Sequence, residues 1–154
     1  MQPVSIVVTE LNEAQEIARV VTSLLAQQPA AAEVVIVDGG STDGTWEWLV
    51  EAQAHDPRLV AIRDETCSLK HSAGPVSRGR NVAIAAAKSE FIATADAGCT
   101  YTPDWLRNLT APLAAGASAT RSAVTDSPVN GAASVETSRT TGMMRMSVPA
   151  AGGE

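Results

Sequence analysis

The 154-residue sequence has little of what several classes of protein require. Its two cysteines, Cys67 and Cys99, are too few for a disulfide scaffold and suit a reducing compartment. It carries 11 Lys and Arg against 17 Asp and Glu, so we expect no nucleic-acid partner. It has no apolar run near the roughly 18 residues of a membrane span and no basic segment that would begin a secretory signal. These absences predict a cytoplasmic protein without a transmembrane segment.

The C-terminal quarter of the sequence lacks large apolar side chains. Every aromatic, leucine and isoleucine residue precedes position 114, and 27 of the 41 residues from 114 to 154 are Ala, Gly, Ser, Thr or Pro. Such a segment buries too little apolar surface to offset the entropy lost on ordering. The composition therefore predicts one folded domain over residues 3–113 and a low-complexity, disordered tail over residues 114–154.

Strand and helix patterns alternate within residues 3–113. The β-branched run 4–8 predicts a strand, the apolar spacing over 17–25 predicts a helix, and the wholly apolar run 34–37 predicts a strand buried on both faces. The same patterns predict strands at 58–63 and 91–95 and helices beginning near Asp43, Pro75 and Pro103. We expect Asn12 to cap the first helix, with Gln15 in the capping-box position. The order βαβαβαβ predicts a three-layer α/β/α fold with a mostly parallel sheet.

Polar residues follow the strands at the point where parallel strands end together. Residues 9–13 follow the first strand, 38–43 the second and 96–98 the fourth, and the third helix adds residues 77–81. Ligands bind at this edge of an open parallel sheet. Carboxylates there can accept hydrogen bonds from a base or ribose, and arginine can bind phosphate. The sequence has neither G-x-G-x-x-G nor G-x-x-x-x-G-K-[ST], so it lacks a glycine-rich phosphate loop.

Several short motifs occur together in one order across residues 4–113. They are Val4–Thr9 with Asn12 and Glu13, Val37–Thr45, Gly79–Ala83, Phe91–Ala93 with Asp96–Gly98, and Pro103–Leu106. In order and spacing this set resembles the inverting family 2 glycosyltransferases of the GT-A fold. The resemblance implies a nucleotide-diphospho-sugar transferase-like fold, a nucleotide-diphosphate-sugar donor and an acceptor that the sequence does not identify.

The resemblance also implies a set of donor nucleotide-binding residues. It places the loop after the first strand and Asp38 around the base, and Arg80 near the nucleotide. It places Asp96 on the ribose or on the metal–diphosphate side. The full set is Thr9, Glu10, Leu11, Asp38, Arg80 and Asp96. Arg78 shares the first turns of the same helix, and the family pattern favours Arg80. The alternative is that Asp38 only closes a turn and that Asp96 only bonds nearby backbone amides.

Two positions depart from the family pattern. The D-x-D motif of the family supplies a second carboxylate for Mn²⁺ or Mg²⁺, but this sequence has Gly98 there, so Asp96 is left as the single expected metal ligand. Many relatives carry a second Asp that faces the base where this sequence has Gly39. The first departure puts metal dependence in question, and the second leaves the base open.

The sequence offers no evident general base, which an inverting transfer requires. After Asp104 its only carboxylates are Asp126, Glu136 and Glu154. We therefore expect a truncated or frame-shifted glycosyltransferase, with the C-terminal half of the fold missing and its catalytic residues unknown. The alternatives are a non-catalytic nucleotide-binding module or pseudoenzyme, a structural remnant that folds poorly, and, ranked lower without a glycine-rich loop, a sugar-phosphate nucleotidyltransferase.

Overall fold

The computed structural model describes residues 2–114, 134–138 and 143–147. Strands and helices alternate through the first of these ranges, and two further strands follow. In chain order the elements are β1 (Val4–Glu10), α1 (Ile17–Leu25), β2 (Glu33–Asp38), α2 (Thr45–His55), β3 (Leu59–Arg63), α3 (Pro75–Ala86), β4 (Phe91–Asp96), α4 (Trp105–Ala114), β5 (Ser134–Ser138) and β6 (Met143–Ser147).

The strands form one sheet in the order β3-β2-β1-β4-β6-β5. Every neighbouring pair is parallel except β5 with β6, which is antiparallel. In the register of this sheet Glu10 pairs with Asp38, and Thr9 pairs with Asp96. The carboxyl ends of β1, β2 and β4 therefore meet at one edge, as the sequence predicts.

Helices cover both faces of the sheet. On one face Ile6, Val8 and Ile36 pack with the buried side chains of α1, α2 and α4. On the other face Val7 and Val35 pack with α3. Alternate residues of each strand thus enter opposite cores, which explains why β2 is buried at all six positions. The predicted three-layer, mostly parallel α/β/α arrangement is confirmed.

The first helix spans the residues that its apolar spacing predicts, but it is not capped by the predicted residue. Helix α1 begins at Ile17 with Glu16 in the capping position, so the predicted cap at Asn12 is wrong. Asn12 has a left-handed backbone (φ 55°), and its side-chain oxygen accepts a hydrogen bond from the Thr42 amide at 2.9 Å. The Asn12 side chain therefore bonds to a residue distant in the sequence, whereas the local pattern predicts that it caps the helix.

Strands β5 and β6 lie in the segment predicted as a tail. The rest of that segment, including Asp126 and Glu154, lies outside the described residues, so its disorder stays a prediction. Glu136 is paired in register with Arg145 across β5 and β6. Among the helices within the described ranges, none combines the length and apolar character needed to cross a membrane.

Candidate functional site

A cleft of about 350 Å³ opens at the edge where the parallel strands end. Its volume is near the lower end of the roughly 300–1,000 Å³ common among small-molecule sites. The lining residues come from β1 and its loop, from β2 and β4, and from the segment before and at the start of α3. They are Thr9, Glu10, Leu11, Glu13, Val37, Cys67, Leu69, Pro75, Val76, Asp96, Ala97 and Gly98.

Two loops on one side of the cleft are fastened to each other by side chains. The Ser41 hydroxyl accepts a hydrogen bond from the Asn12 amide at 2.8 Å, and the Thr45 hydroxyl accepts one from the Glu13 amide at 3.0 Å. Asp43 accepts hydrogen bonds from the amide and hydroxyl of Thr45 and from the amide of Ala14. The polar residues after β2 therefore hold the loop after β1 in place. Asp43 supports the start of α2 from one residue before its capping position, which Gly44 occupies.

Glu10 and Asp38 form a pair of buried carboxyl groups beside the cleft. Glu10 is 7% exposed and Asp38 is 0% exposed. One Asp38 oxygen, Oδ1, accepts the amides of Gly40 at 2.6 Å and Ser41 at 2.8 Å. Glu10 Oε2 accepts a longer hydrogen bond, 3.4 Å, from the Ser41 hydroxyl. The other two oxygens, Glu10 Oε1 and Asp38 Oδ2, are buried. Neither has a hydrogen-bond partner while both carboxyl groups are ionised.

The two carboxyl groups have opposite pKa shifts. Burial, together with the neighbouring Asp38, raises the pKa of Glu10 to about 9. Burial also works to raise the pKa of Asp38, but the hydrogen bonds from Glu10 and from the Gly40 and Ser41 amides lower it on balance. These opposite directions favour a proton on Glu10 and a negative charge on Asp38 near neutral pH.

Asp96 and Arg80 form an ion pair between β4 and α3. The Arg80 guanidinium donates to Asp96 Oδ1 at 2.8 Å, and both side chains are about two-thirds buried or more. Arg78 instead donates to the Thr66 hydroxyl at 2.7 Å and is exposed. Of these two arginines, Arg80 is therefore the one whose side chain bonds to a residue that lines the cleft.

Tyr101 holds the backbone of Asp96 from behind. Its hydroxyl accepts a hydrogen bond from the Asp96 amide at 2.7 Å and donates one to the Asp96 carbonyl at 3.0 Å. Burial raises the pKa of the Tyr101 hydroxyl, so the group stays protonated. Tyr101 is absent from the residues predicted from the sequence; the signal available was a lone Tyr five positions after the strand-ending carboxylate.

The segment between β3 and α3 forms the opposite wall of the cleft. Cys67 is buried there, and its carbonyl oxygen lies 2.6 Å from where a Cβ at Gly39 would stand. A Cβ at Gly79 would stand 2.7 Å from the methyl group of Thr9. Both glycines thus permit close approaches that any larger residue would prevent. Farther out, this wall and its neighbours expose apolar side chains: Leu11 (43%), Val76 (51%) and Leu69 (82%).

The structure brings most of the expected nucleotide-binding residues to one cleft. Thr9, Glu10, Leu11 and Asp96 line it. Asp38 lies behind Glu10 with its side chain fully buried, and Arg80 reaches the cleft through Asp96. The position of Asp38 follows from the strand register, which sequence spacing alone does not give.

The residues around Asp96 do not make a metal site by themselves. Within the described part of the chain, no three His, Cys, Asp or Glu side chains gather closely enough to hold an ion. One Asp96 oxygen is already bonded to Arg80. A Cβ at Gly98 would meet no atom within 4 Å, so the lack of a second carboxylate at this position has no steric reason.

Comparisons with known proteins agree with this geometry. Residues 5–145 match the family model described as glycosyl transferase family 2. The succinoglycan biosynthesis proteins ExoO and ExoU of Rhizobium meliloti are 38% and 39% identical over 106 residues, which is 69% of this chain. An Escherichia coli protein, the UDP-Glc:alpha-D-GlcNAc-diphosphoundecaprenol beta-1,3-glucosyltransferase WfaP, is 34% identical over 96 residues, covering 62% of this chain and 35% of its own length.

Solved structures of TarS from S. aureus share the fold. The structure of its residues 1–349 superimposes with a TM-score of 0.61 at 29% identity, over 73% of this chain and 32% of that one. The same protein has been solved with UDP and with UDP-GlcNAc. The present chain spans only 28% and 29% of the lengths of ExoO and ExoU. The family match extends past residue 113 into β6, and the sheet order and the cleft agree with it. This chain therefore belongs to glycosyl transferase family 2.

Proposed function

We propose that the cleft binds the nucleotide of a nucleotide-diphosphate-sugar donor, and that the protein to which this sequence belongs transfers the sugar to an acceptor. The observation that carries the proposal is the cleft itself, which lies at the carboxyl ends of β1 and β4 in a chain of this family. Ligands of open parallel sheets bind at that edge.

The polar and apolar residues of the cleft suit different parts of a nucleotide. The exposed side chains of Leu11, Leu69 and Val76 offer apolar surface to a flat base. Asp96, held by Arg80 and Tyr101, can accept hydrogen bonds from ribose hydroxyls. In this proposal the base lies toward Glu10 and the ribose toward Asp96.

The charges around the cleft determine how strongly it would repel a diphosphate. No Lys or Arg is among the lining residues in the part of the chain that the structure describes. Arg80 compensates Asp96, and the proton on Glu10 removes a second negative charge. An anionic ligand therefore meets less repulsion than the count of carboxyl groups suggests, and Arg80, which contacts the lining residue Asp96, is the protein cation assigned to it in this proposal.

The relatives give independent support for this ligand class. TarS has been solved with UDP and UDP-GlcNAc, and WfaP is named for a UDP-Glc donor. We propose a nucleotide-sugar donor for this chain by that likeness, with base and sugar left to experiment. A cytoplasmic location stays a prediction from the composition. Mn²⁺ or Mg²⁺ also stays a prediction, with Asp96 as the one protein ligand and no reaction step assigned to the metal.

Calorimetry with UDP and GDP tests the donor site. We expect one of them to bind saturably to the 154-residue chain and Asp96→Ala to weaken it about tenfold, because a charge-assisted hydrogen bond is worth about 1.5–3 kcal/mol. Glu51→Gln, on the exposed side of α2, is the matched control and should bind like the unchanged chain. Absence of binding to any nucleoside diphosphate would contradict the proposal, and equal or tighter binding by Asp96→Ala would contradict the role of Asp96.

The alternative is a nucleotide-binding module without turnover. It is favoured by the lack of an assigned general base, since Glu10 and Asp96 are placed on the donor side of the proposal and Glu13, the third carboxyl group that lines the described cleft, has no assigned role. Incubation with UDP-sugars separates the two: slow release of free sugar supports the transferase, and saturable binding without hydrolysis supports the module.

A further inference from the structure

We propose that Glu10 is a positioning residue of the cleft: as a neutral carboxylic acid it donates a hydrogen bond to the Asp38 carboxylate and presents an uncharged wall to an anionic ligand. The effect on the ligand rests on the proposed function, whereas the hydrogen bond to Asp38 does not. The family resemblance assigns no such pair, because it places Asp38 itself around the base.

The strand register brings the two groups together. Glu10 is the last residue of β1, Asp38 is the last residue of β2, and the two are register partners on adjacent parallel strands. Side chains at paired positions project from the same face of a sheet. Each group keeps one buried oxygen without another partner, Oε1 on Glu10 and Oδ2 on Asp38. A single proton between the carboxyl groups satisfies both oxygens, whereas two buried carboxylates would leave both unsatisfied and repelling.

The hydrogen bonds decide which group holds the proton. Asp38 Oδ1 accepts two backbone amides, at 2.6 and 2.8 Å, and amide donors stabilise a charged carboxylate. The Glu10 carboxyl group accepts a single hydrogen bond, from the Ser41 hydroxyl at 3.4 Å. The amides come from the turn at 39–41, so the Asp38 carboxylate also fixes that turn, and Glu10 acts on the turn through Asp38.

The other charged groups near Glu10 favour the same arrangement. Asp43, from the turn before α2, adds negative charge that raises the Glu10 pKa further. Glu13, Asp96 and Cys67 also line the cleft, and none of them is a cation. Arg80, from α3, is engaged with Asp96. Arg63, the register partner of Asp38 on β3, is a cation on the same face of the sheet, but its guanidinium donates to the Ser41 carbonyl at 3.2 Å and pairs with Glu65 at 3.5 Å.

Glu10 is the member of the pair that borders the ligand space. It is among the residues that line the cleft, whereas Asp38 is fully buried and is not. An ionised Glu10 would add a negative charge directly on the cleft wall. A neutral Glu10 keeps that wall compatible with a diphosphate, and the amide of Glu10→Gln keeps a similar shape and a hydrogen-bond donor while being unable to ionise.

Urea unfolding of the unchanged chain, Glu10→Gln and Glu10→Ala across a pH series tests the shared proton without any ligand. Between the ordinary pKa of 4.5 and about 9, the folded chain retains a proton that the unfolded chain has lost, so its unfolding free energy should fall with rising pH relative to Glu10→Gln. Glu10→Ala should be less stable than Glu10→Gln, because Asp38 then loses its donor. Parallel pH profiles for the unchanged chain and Glu10→Gln would overturn the proposal.

Binding of UDP across the same pH series tests the effect on the cleft. Titration of the nucleotide affects both proteins alike, so the ratio of the Kd of the unchanged chain to that of Glu10→Gln isolates Glu10. The ratio should rise up to about tenfold between pH 7 and pH 10. A constant ratio would overturn the effect on ligand binding. If UDP fails to bind either protein, the proposed function fails, while the unfolding profiles still decide on the proton.

Discussion

At the residue scale, the site depends on backbone positions as much as on side chains. Asp96 is held by Arg80 through its carboxylate and by Tyr101 through both of its backbone polar groups. The carboxylate can be anticipated from the sequence because it ends a strand pattern. The tyrosine cannot, because its role depends on how the chain turns between residues 96 and 101.

Replacement of Tyr101 by Phe should weaken the site without emptying the core. The ring remains to pack against Trp105, whose centroid lies 4.6 Å away, but the Asp96 amide and carbonyl lose their buried partner. We expect a loss of about 1–3 kcal/mol in the free energy of unfolding and a Kd for UDP raised roughly fivefold. Urea unfolding and calorimetry measure the two effects. Unchanged affinity in a folded variant would contradict the role given to Tyr101.

The two glycines that depart from the family pattern differ physically. A Cβ at Gly39 would meet the Cys67 carbonyl at 2.6 Å, whereas one at Gly98 would meet nothing within 4 Å. A carboxylate can therefore be restored at position 98 alone. Gly98→Asp should bind Mn²⁺ more tightly than Gly98→Ala, as measured by loss of the free-ion paramagnetic resonance signal. Equal binding by the two variants would show that Asp96 does not face the same space as position 98.

At the element scale, the segment between β3 and α3 is fixed by close packing against the sheet edge. Cys67 is buried among Gly39, Gly79 and Thr9, and this contact positions the wall that carries Leu69. The sequence predicts a loop here but not its contacts, since both close approaches join residues distant in the chain.

Helix and strand patterns are local, and they are sufficient to predict every element up to α4. The predicted cap at Asn12 is wrong for the same reason that the loop contacts escape prediction: both depend on partners far along the chain.

Substitution of Gly39 by Ala should displace this wall. The added methyl group would overlap a backbone oxygen, which cannot rotate away as a side chain can. We expect about 1–3 kcal/mol of destabilisation in urea unfolding, by analogy with overpacking, and weaker nucleotide binding. Gly98→Ala is the matched control for stability and should unfold like the unchanged chain. Full stability of Gly39→Ala would contradict the close docking of Cys67.

At the scale of the whole molecule, a chain with a net charge of −6 offers an anionic ligand a cleft whose charge is locally reduced. The Arg80–Asp96 pair and the proton on Glu10 account for that reduction. The mostly parallel α/β/α architecture and the family could be predicted from the sequence, because strand and helix patterns alternate and the motifs occur in the order of the family. The proton-sharing pair could not, because it arises from the register of β1 against β2 and from burial.

A ¹H–¹⁵N NMR titration of the chain with UDP tests the donor site most directly. We predict saturable shifts concentrated at the amides of Thr9, Glu10 and Leu11 and at those of residues 96–98, the two strand ends that border the cleft. The opposite edge of the sheet, near Glu33 and Lys88, should remain unperturbed. Shifts that gather at that opposite edge, or no shifts at the strand ends at saturating nucleotide, would contradict the donor site.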